Sequence, residues 1–138
     1  PSSMKRHQMR ESAFILVFEK IFVDEPVESI LETAEECEEV KLNADAKALF
    51  TGVADKTELL DEEIKKYLKN WTIERISKVS LAILRLAVYE ILFSDETPTS
   101  VAIDEAVELA KEYSTGEDAS FINGVLGSFA RSLEAPAQ

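Results

Sequence analysis

The sequence predicts an all-α protein of six or seven helices, and three observations support this. Apolar residues recur at steps of three and four along most of the chain, the period of a helix with one buried face. The alternation of apolar and polar residues that is typical of strands does not persist anywhere. Glycine and proline number only four each in 138 residues, which favours long regular elements. With 46% hydrophobic residues, the chain is long enough to bury a core.

The first half of the chain predicts three helices. Residues 9–22 carry a wide apolar stripe, which indicates a buried helix. Pro26 suits the first turn of a second helix. Asn43 is a good N-cap for a third, whose apolar spacing continues as far as Leu68 with Gly52 as a weak point inside it.

The second half predicts three more helices after a connection at Trp71–Ser77, which divides the chain into two helical halves. Ser77 offers an N-cap for residues 78–93, which are apolar nearly all round and therefore predict the central buried helix. Pro98 opens the next helix, with Gly116 just beyond its end. The last helix covers about Asp118–Leu133. We expect a single domain over residues 4–138, with residues 1–3 a cloning remnant before a native start at Met4.

The charge of the chain is unevenly placed. The formal net charge is −12, yet residues 1–10 hold three basic residues and no acid, so the remainder carries −15. The run Asp24–Lys41 has eight acids and one base, which is typical of a solvated helix face. A local basic segment can still attract an anion, because the Debye length at physiological salt is only about 8 Å.

The sequence lacks the residues that enzymes and metal sites need. His7 is the only histidine, and it lies near the terminus, so a Ser–His or Cys–His pair is not expected. No Glu-x-x-His motif, zinc-ligand set or phosphate-binding glycine loop occurs. We therefore expect no enzyme activity, cofactor or metal. Cys37 alone fits a reducing compartment, and the absence of a long apolar run or signal peptide predicts a cytoplasmic protein without membrane contact.

Two charged residues fall on the predicted central helix, Arg85 and Glu90. Buried charges need partners, so we expect an ion pair between helices, with Asp104 or Glu105 as the other member. Asn123 is expected to bond neighbouring backbone.

The basic segment "MKRHQMRE" leads directly into the first helix. Arg6 and Arg10 are four residues apart, with Lys5 and His7 beside them. Phe18 lies two turns beyond Arg10. Cations that hold phosphates and rings that stack on unpaired bases are the components of single-stranded nucleic-acid binding. The alternative is a solvated tail.

Three segments resemble the NusB family of bacterial transcription antitermination factors: "ILRLAVYEILF", "PTSVAIDEAVELAKEY" and "FINGVL". The opening "MKRHQMRE-SA" resembles the arginine-rich start of that family, and Gly52-Val53 matches a family dipeptide. The resemblance covers about residues 4–131. It implies two small packed helical bundles, and binding of boxA, a single-stranded RNA element in ribosomal RNA leaders. It also implies joint binding with the ribosomal protein NusE, within a complex of other Nus factors on RNA polymerase.

The resemblance assigns roles by position. Lys5, Arg6 and Arg10 match basic RNA-contacting positions, and Phe18 matches an aromatic one. Phe121 matches the ring that opens "FINGV", although its helical spacing is equally typical of a core residue. Glu74, near "ERISKVS", is the candidate NusE contact.

The sequence departs from the family at His7 and Gln8, where members often carry arginine or lysine. His7 stays in the predicted RNA site as a cation below neutral pH, but the patch is weaker. We therefore expect NusE to supply a substantial share of the RNA affinity.

Other classes of function are compatible with the residues. The same helical domain precedes the catalytic domain of ribosomal RNA cytosine methyltransferases, but 138 residues hold no Rossmann half, so a complete methyltransferase is not expected. A protein-interaction adaptor without direct RNA binding is the alternative function. A homodimer, which would mask the RNA face, is also compatible with the sequence.

Overall fold

The computed structural model describes residues 2–37 and 42–134, with only the backbone of residues 2–5. Within these ranges the chain forms seven helices and no strand, which confirms the predicted fold class. The helices are α1 (Ser2–Phe22), α2 (Val27–Cys37), α3 (Ala44–Asp55), α4 (Thr57–Lys65), α5 (Lys78–Phe93), α6 (Thr99–Tyr113) and α7 (Gly116–Glu134). The end of the acidic run, residues 38–41, lies outside the described residues.

Helix α5 occupies the centre of the fold, as its apolar composition predicts. It packs against α1, α3 and α4 from the first half of the chain and against α6 and α7 from the second. Ser77 caps its first turn, since its Oγ accepts a hydrogen bond from the Ser80 N–H at 3.0 Å. The apolar core is continuous through both helical halves. Its largest fully buried side chains include Phe50, Leu60, Leu84 and Phe129.

The predicted third helix is two helices in the structure. The break falls at Lys56, whose N–H donates to the carbonyl oxygens of both Gly52 and Val53. The Thr57 hydroxyl donates to the Val53 carbonyl at 2.9 Å, and this competes with regular helical bonding. Leu60 nevertheless stays buried, because the apolar spacing continues through the bend.

Two other boundaries bear on the site. Helix α1 begins at Ser2, so the basic segment is helical and its side chains follow a 3.6-residue period. Gly116 is the first residue of α7 and does not terminate α6 as predicted. Thr115 stabilises the start of α7, because its Oγ1 accepts from the Asp118 N–H at 3.0 Å.

Both central charged residues are paired, but with partners other than those predicted. Arg85 makes two hydrogen bonds of 2.8 Å to the carboxylate of Asp61 on α4. Glu90 pairs with Arg10 on α1 at 2.9 Å. The predicted partners Asp104 and Glu105 lie on α6, where Asp104 is exposed and Glu105 bonds His7.

Gly52 of α3 packs directly against the Tyr89 side chain of α5. A Cβ atom added to Gly52 would overlap the hydroxyl oxygen and Cζ of Tyr89. The residue that looked like a weak point in the helix is therefore required by packing against the Tyr89 ring.

Gly52→Ala is expected to lower the free energy of unfolding by about 1–3 kcal/mol, the range for an overpacked core. Thermal or urea unfolding followed by circular dichroism measures it. Gly124→Ala is the matched control, because an added Cβ there meets nothing within 4 Å and alanine has the higher helix propensity. Equal melting temperatures for the two variants would contradict this packing.

Candidate RNA-binding surface

Arg6 is the exposed cation of the basic segment in the described structure. It makes no ion pair with the described residues and lines a groove of about 210 Å³ with Tyr89 and Phe93. Phe93 is 43% exposed. The side chain of Lys5 lies outside the described residues, so its predicted role stays a prediction. Arg6 has no ion-pair partner among the described residues, although the carboxylates of Asp45, Glu90 and Glu96 line the same groove.

Arg10 is buried, in contrast to the exposed position predicted for a phosphate contact. Only 3% of it is exposed. Its Nε donates to both carboxylate oxygens of Glu90, at 3.0 and 2.9 Å. The Thr97 hydroxyl also donates to Glu90, at 3.3 Å. This arrangement satisfies two buried charges together and joins α1 to α5, so in this structure Arg10 is not presented to RNA.

His7 points towards α6 and sits among carboxylates. Its Nδ1 lies 2.8 Å from Glu105 Oε1, and its Nε2 lies 3.6 Å from Glu112 Oε1. The hydrogen bond to Glu105 raises the pKa of His7 above its usual 6.5, against an opposing effect of burial. Nearby, a hydrogen bond between Glu11 and Glu112 raises the pKa of Glu112 and lowers that of Glu11.

His7 is therefore expected to stabilise the fold in a pH-dependent way. Because its folded pKa is raised, the stabilisation is fully present below pH 6.5 and is lost as the pH rises through the raised pKa. The melting temperature of the native chain should exceed that of His7→Gln at about pH 5.5, and the difference should shrink by about pH 8.5. The effect is about 0.3–1 kcal/mol, because the pair is partly solvated. A difference that grows with pH would contradict it.

Phe18 belongs to an aromatic row on α1. Its ring centroid lies 6.1 Å from that of Phe14 and 5.1 Å from that of Phe22. Phe14 is buried, Phe18 is half-buried and Phe22 is 62% exposed. The row runs from core to solvent. Sequence reasoning placed Phe22 in the apolar stripe, and its position at the end of the helix is what exposes it.

Phe121 lines a cleft between α7 and the connection that precedes α5. The cleft measures about 370 Å³, and we call it the Trp71–Phe121 cleft. The two rings stand edge to face with centroids 6.4 Å apart, and Trp71 is 53% exposed. The remaining wall is formed by Arg75, Ile76, Ser77, Ser80, Glu117 and Asp118. Phe121 is half-buried, so it has both a core-facing and a cleft-facing part.

Trp71 is a residue that sequence reasoning missed. It was placed in a connection between helices and given no role. A large ring exposed in a short linker itself indicates a binding surface, because burial of its apolar surface against a partner is favourable.

Asp118 joins three elements beside the cleft. Its Oδ2 accepts a hydrogen bond from the hydroxyl of Ser77, at 3.4 Å, and another from that of Ser114, at the end of α6. Tyr113, which directly precedes Ser114, donates a hydrogen bond from its hydroxyl to Glu11 of α1 at 2.6 Å. The end of α6 is thus bonded both to the middle of α1, at Glu11, and to Asp118 beside the cleft.

Glu74 is exposed in the turn formed by residues 73–75. Its neighbour Arg75 lines the Trp71–Phe121 cleft, so Glu74 lies beside that cleft. Among the described residues no group of three His, Cys, Asp or Glu side chains is placed to hold a metal ion. None of the described helices has the length and apolar character needed to cross a membrane.

A model of the NusB family matches residues 7–131. The chain belongs to the NusB family. Among its relatives is the transcription antitermination protein NusB of Clostridium tetani. It is 40% identical over 153 aligned residues, which cover 94% of this chain and all of that protein.

Solved NusB structures share the fold as well as the sequence. NusB from T. maritima is 37% identical, with a TM-score of 0.81 over 91% of this chain and 90% of that one. A complex of the antitermination factors NusB and NusE with double-stranded RNA contains a chain 25% identical to this one. Its TM-score is also 0.81, over 92% of this chain and 96% of that one. The family and the fold inferred from the sequence motifs are both confirmed.

Proposed function

We propose that this chain is a transcription antitermination factor. It binds the single-stranded boxA RNA of ribosomal RNA leader transcripts together with NusE, within a complex of Nus factors on RNA polymerase. The observation that carries the proposal is a NusB fold with an exposed Arg6 on α1 and an aromatic Trp71–Phe121 cleft, on elements that the end of α6 connects by hydrogen bonds. In this proposal, Arg6 and the cleft together form the RNA-binding face. The role is one of binding and involves no catalysis.

The cleft favours unpaired RNA over a duplex. A base can stack on an exposed ring of the cleft only if it is not stacked and paired within a helix. A phosphate backbone, in contrast, is available in both. The solved NusB–NusE complex that resembles this chain holds double-stranded RNA. Competition between a boxA strand and the same strand annealed to its complement therefore tests the single-strand preference, and equal competition would contradict it.

The electrostatics of the face limit its affinity for RNA when the protein is alone. Arg10 is committed to Glu90, and His7 lies between Glu105 and Glu112. This leaves Arg6 and Lys5 as the cations of the first turns that are free for phosphates in the proposal. We propose that NusE supplies the missing part of the binding surface. Fluorescence anisotropy should show much tighter boxA binding with NusE than without it, and equal affinities would contradict a shared site.

Arg6→Ala is expected to weaken binding of boxA RNA to the NusE complex by about tenfold to a hundredfold, as for one lost charge-assisted hydrogen bond. The slope of log K against log salt should fall by about 0.7, the contribution of one phosphate contact on a single strand. Lys66→Ala is the matched control. This substitution also removes one positive charge. Lys66 is exposed just beyond the end of α4, where it pairs with Glu63.

A second candidate function is a protein-interaction adaptor without direct RNA binding. The ion pairs of His7 with Glu105 and of Arg10 with Glu90 favour this function, because these two cations are then not available to bind phosphates. In that case Arg6→Ala and Lys66→Ala should give the same RNA affinity and the same salt slope.

We place NusE at the edge of the face formed by the turn at residues 73–75, with Glu74 as a contact. Nuclear magnetic resonance of the chain with boxA RNA and NusE tests the placement. RNA should shift signals in the first turns of α1 and around Phe121, and NusE should shift Glu74. Sedimentation with and without RNA tests a homodimer, which RNA should dissociate if the two share the face.

A further inference from the structure

A cluster of three carboxylates and one histidine joins α1 to α6. His7 and Glu11 of α1 lie against Glu105 and Glu112 of α6, and we call these four residues the His7–Glu112 cluster. The Nδ1 atom of His7 is 2.8 Å from Glu105, and its Nε2 atom is 3.6 Å from Glu112. Glu11 accepts a hydrogen bond of 2.6 Å from the Tyr113 hydroxyl.

The position of the cluster relates it to the proposed RNA-binding face. His7 directly follows the exposed Arg6 on α1, and the end of α6 is hydrogen-bonded to the start of α7 beside the Trp71–Phe121 cleft. An RNA strand that contacts both Arg6 and the cleft is therefore expected to pass close to the cluster. The side chains of His7 and Glu112 are 33% and 46% exposed, so such a strand can approach them. Three carboxylates beside a neutral histidine repel a phosphate, and their presence there needs an explanation.

Protonation of the cluster removes much of this repulsion. The hydrogen bond to Glu105 raises the pKa of His7 above its usual 6.5, and the hydrogen bond to Glu11 raises the pKa of Glu112 above its usual 4.5. With His7 neutral and the carboxylates ionised, the cluster carries a charge of −3. A proton on His7 changes this charge to −2, and a second proton on Glu112 changes it to −1. Burial raises the pKa of Tyr113 well above its usual 10, so its hydroxyl remains a donor throughout.

The charged groups on the neighbouring helices are separate from the cluster. Glu90 of α5 is held in its buried ion pair, and Asp118 of α7 accepts two hydrogen bonds from hydroxyls. Asp45 of α3 and Glu96, which follows α5, line the groove on the Arg6 side. The ionisable groups that act directly on His7 are the three carboxylates of the cluster.

We propose that the His7–Glu112 cluster couples RNA binding to pH: a phosphate held near Arg6 favours a proton on His7 and on Glu112, so the affinity for RNA rises as the pH falls. The inference rests on the proposed RNA function and adds a regulation of the same site. The effect is reciprocal, because the phosphate stabilises the protonated forms and the protonated cluster repels the phosphate less. Each proton taken up on binding changes the affinity by about tenfold per pH unit.

Binding of boxA RNA to the NusE complex, measured by fluorescence anisotropy from about pH 6 to pH 8.5, tests the coupling. The native chain should bind about threefold to tenfold more tightly at the lower pH, as for uptake of a fraction of one proton. His7→Gln should remove most of this dependence. Glu112→Gln should tighten binding at the higher pH, because it removes a negative charge, and should also flatten the profile. Glu32→Gln removes an exposed carboxylate from α2, which packs against α3, and is the matched control that should keep the native profile.

The titration of His7 measures the coupling directly. His7 is the only histidine of the chain, so isotope labelling of histidine in this chain alone gives one ring signal in nuclear magnetic resonance. The pKa of His7 should be higher in the presence of boxA RNA and NusE than with NusE alone, and equal values would overturn the proposal. A pH dependence that persists unchanged in both His7→Gln and Glu112→Gln would also overturn it, because groups outside the cluster would then be responsible.

These measurements separate the coupling from the proposed function. If the NusE complex binds boxA RNA with the same affinity at every pH, the RNA function stands and the coupling is wrong. If the complex does not bind boxA RNA at any pH in this range, the RNA function itself is wrong, and so is the coupling.

Discussion

Glu90→Leu is expected to lower the free energy of unfolding by about 3–5 kcal/mol, the range for removing one partner of a buried ion pair. The substitution leaves the Arg10 guanidinium in a site where only 3% of the residue reaches solvent. The hydroxyls of Thr97 and Ser94 cannot replace the lost charge, and they already lie 3.2 Å from each other. Urea unfolding followed by circular dichroism measures the loss.

The double variant Arg10→Met, Glu90→Leu is the control for this prediction. It replaces the ion pair by two apolar side chains of similar length, which fill the space without a buried charge. Such replacements are often neutral or stabilising, so the double variant should regain most of what the single variant loses. A double variant whose loss equals the sum of the two single losses would show that the residues are not coupled.

The same variants separate a structural role of Arg10 from a role in RNA binding. If Arg10 only joins α1 to α5, the double variant should bind boxA RNA with the native salt slope. If Arg10 instead releases Glu90 and binds a phosphate when RNA is present, the salt slope of the double variant should be smaller by about 0.7. Arg6→Ala provides the reference, because Arg6 lies one turn away on the same helix and is exposed.

Arg10 also shows what sequence reasoning could not supply. Helical spacing correctly placed Arg6 and Arg10 one turn apart. Spacing does not reveal which side of that turn meets a neighbouring helix. The partner of Arg10 is 80 positions away in the chain. Its burial depends on how α1 docks on α5, which only tertiary packing determines.

The central helix was predictable because its signal is local. Residues 78–93 are apolar nearly all round, and Ser77 precedes them as a cap. The division of α3 from α4 was not predictable, because the apolar spacing runs through it and Leu60 and Ile64 stay buried. Periodicity reports which face is buried. It is insensitive to a bend that preserves that face.

The cleft depends on tertiary structure in the same way. Trp71 comes from a connection, and Phe121 lies 50 positions later on α7. Neither segment alone predicts a pocket. The sequence motif "FINGV" pointed to Phe121 through family resemblance, whereas Trp71 carried no motif. Its role as the other wall emerges only when the connection packs beside the start of α7.

Trp71→Ala is expected to weaken boxA binding by the NusE complex by about fivefold or more. Loss of one base–aromatic stack costs about 1–3 kcal/mol. Because Trp71 is 53% exposed, the substitution removes little core packing, so the melting temperature should change only slightly. Phe121→Ala should weaken binding similarly, but it should also lower stability, since that ring packs against the core.

Two variants show whether the ring itself is responsible. Trp71→Phe keeps an aromatic face in the cleft and should retain most of the RNA affinity. Leu133→Ala removes an apolar side chain of similar exposure, 51%, from the far end of α7 and should leave binding unchanged. If Trp71→Phe bound RNA as weakly as Trp71→Ala, stacking would not explain the effect. If Leu133→Ala weakened binding equally, the loss would reflect general surface hydrophobicity, and the Trp71–Phe121 cleft would not be the site of the base.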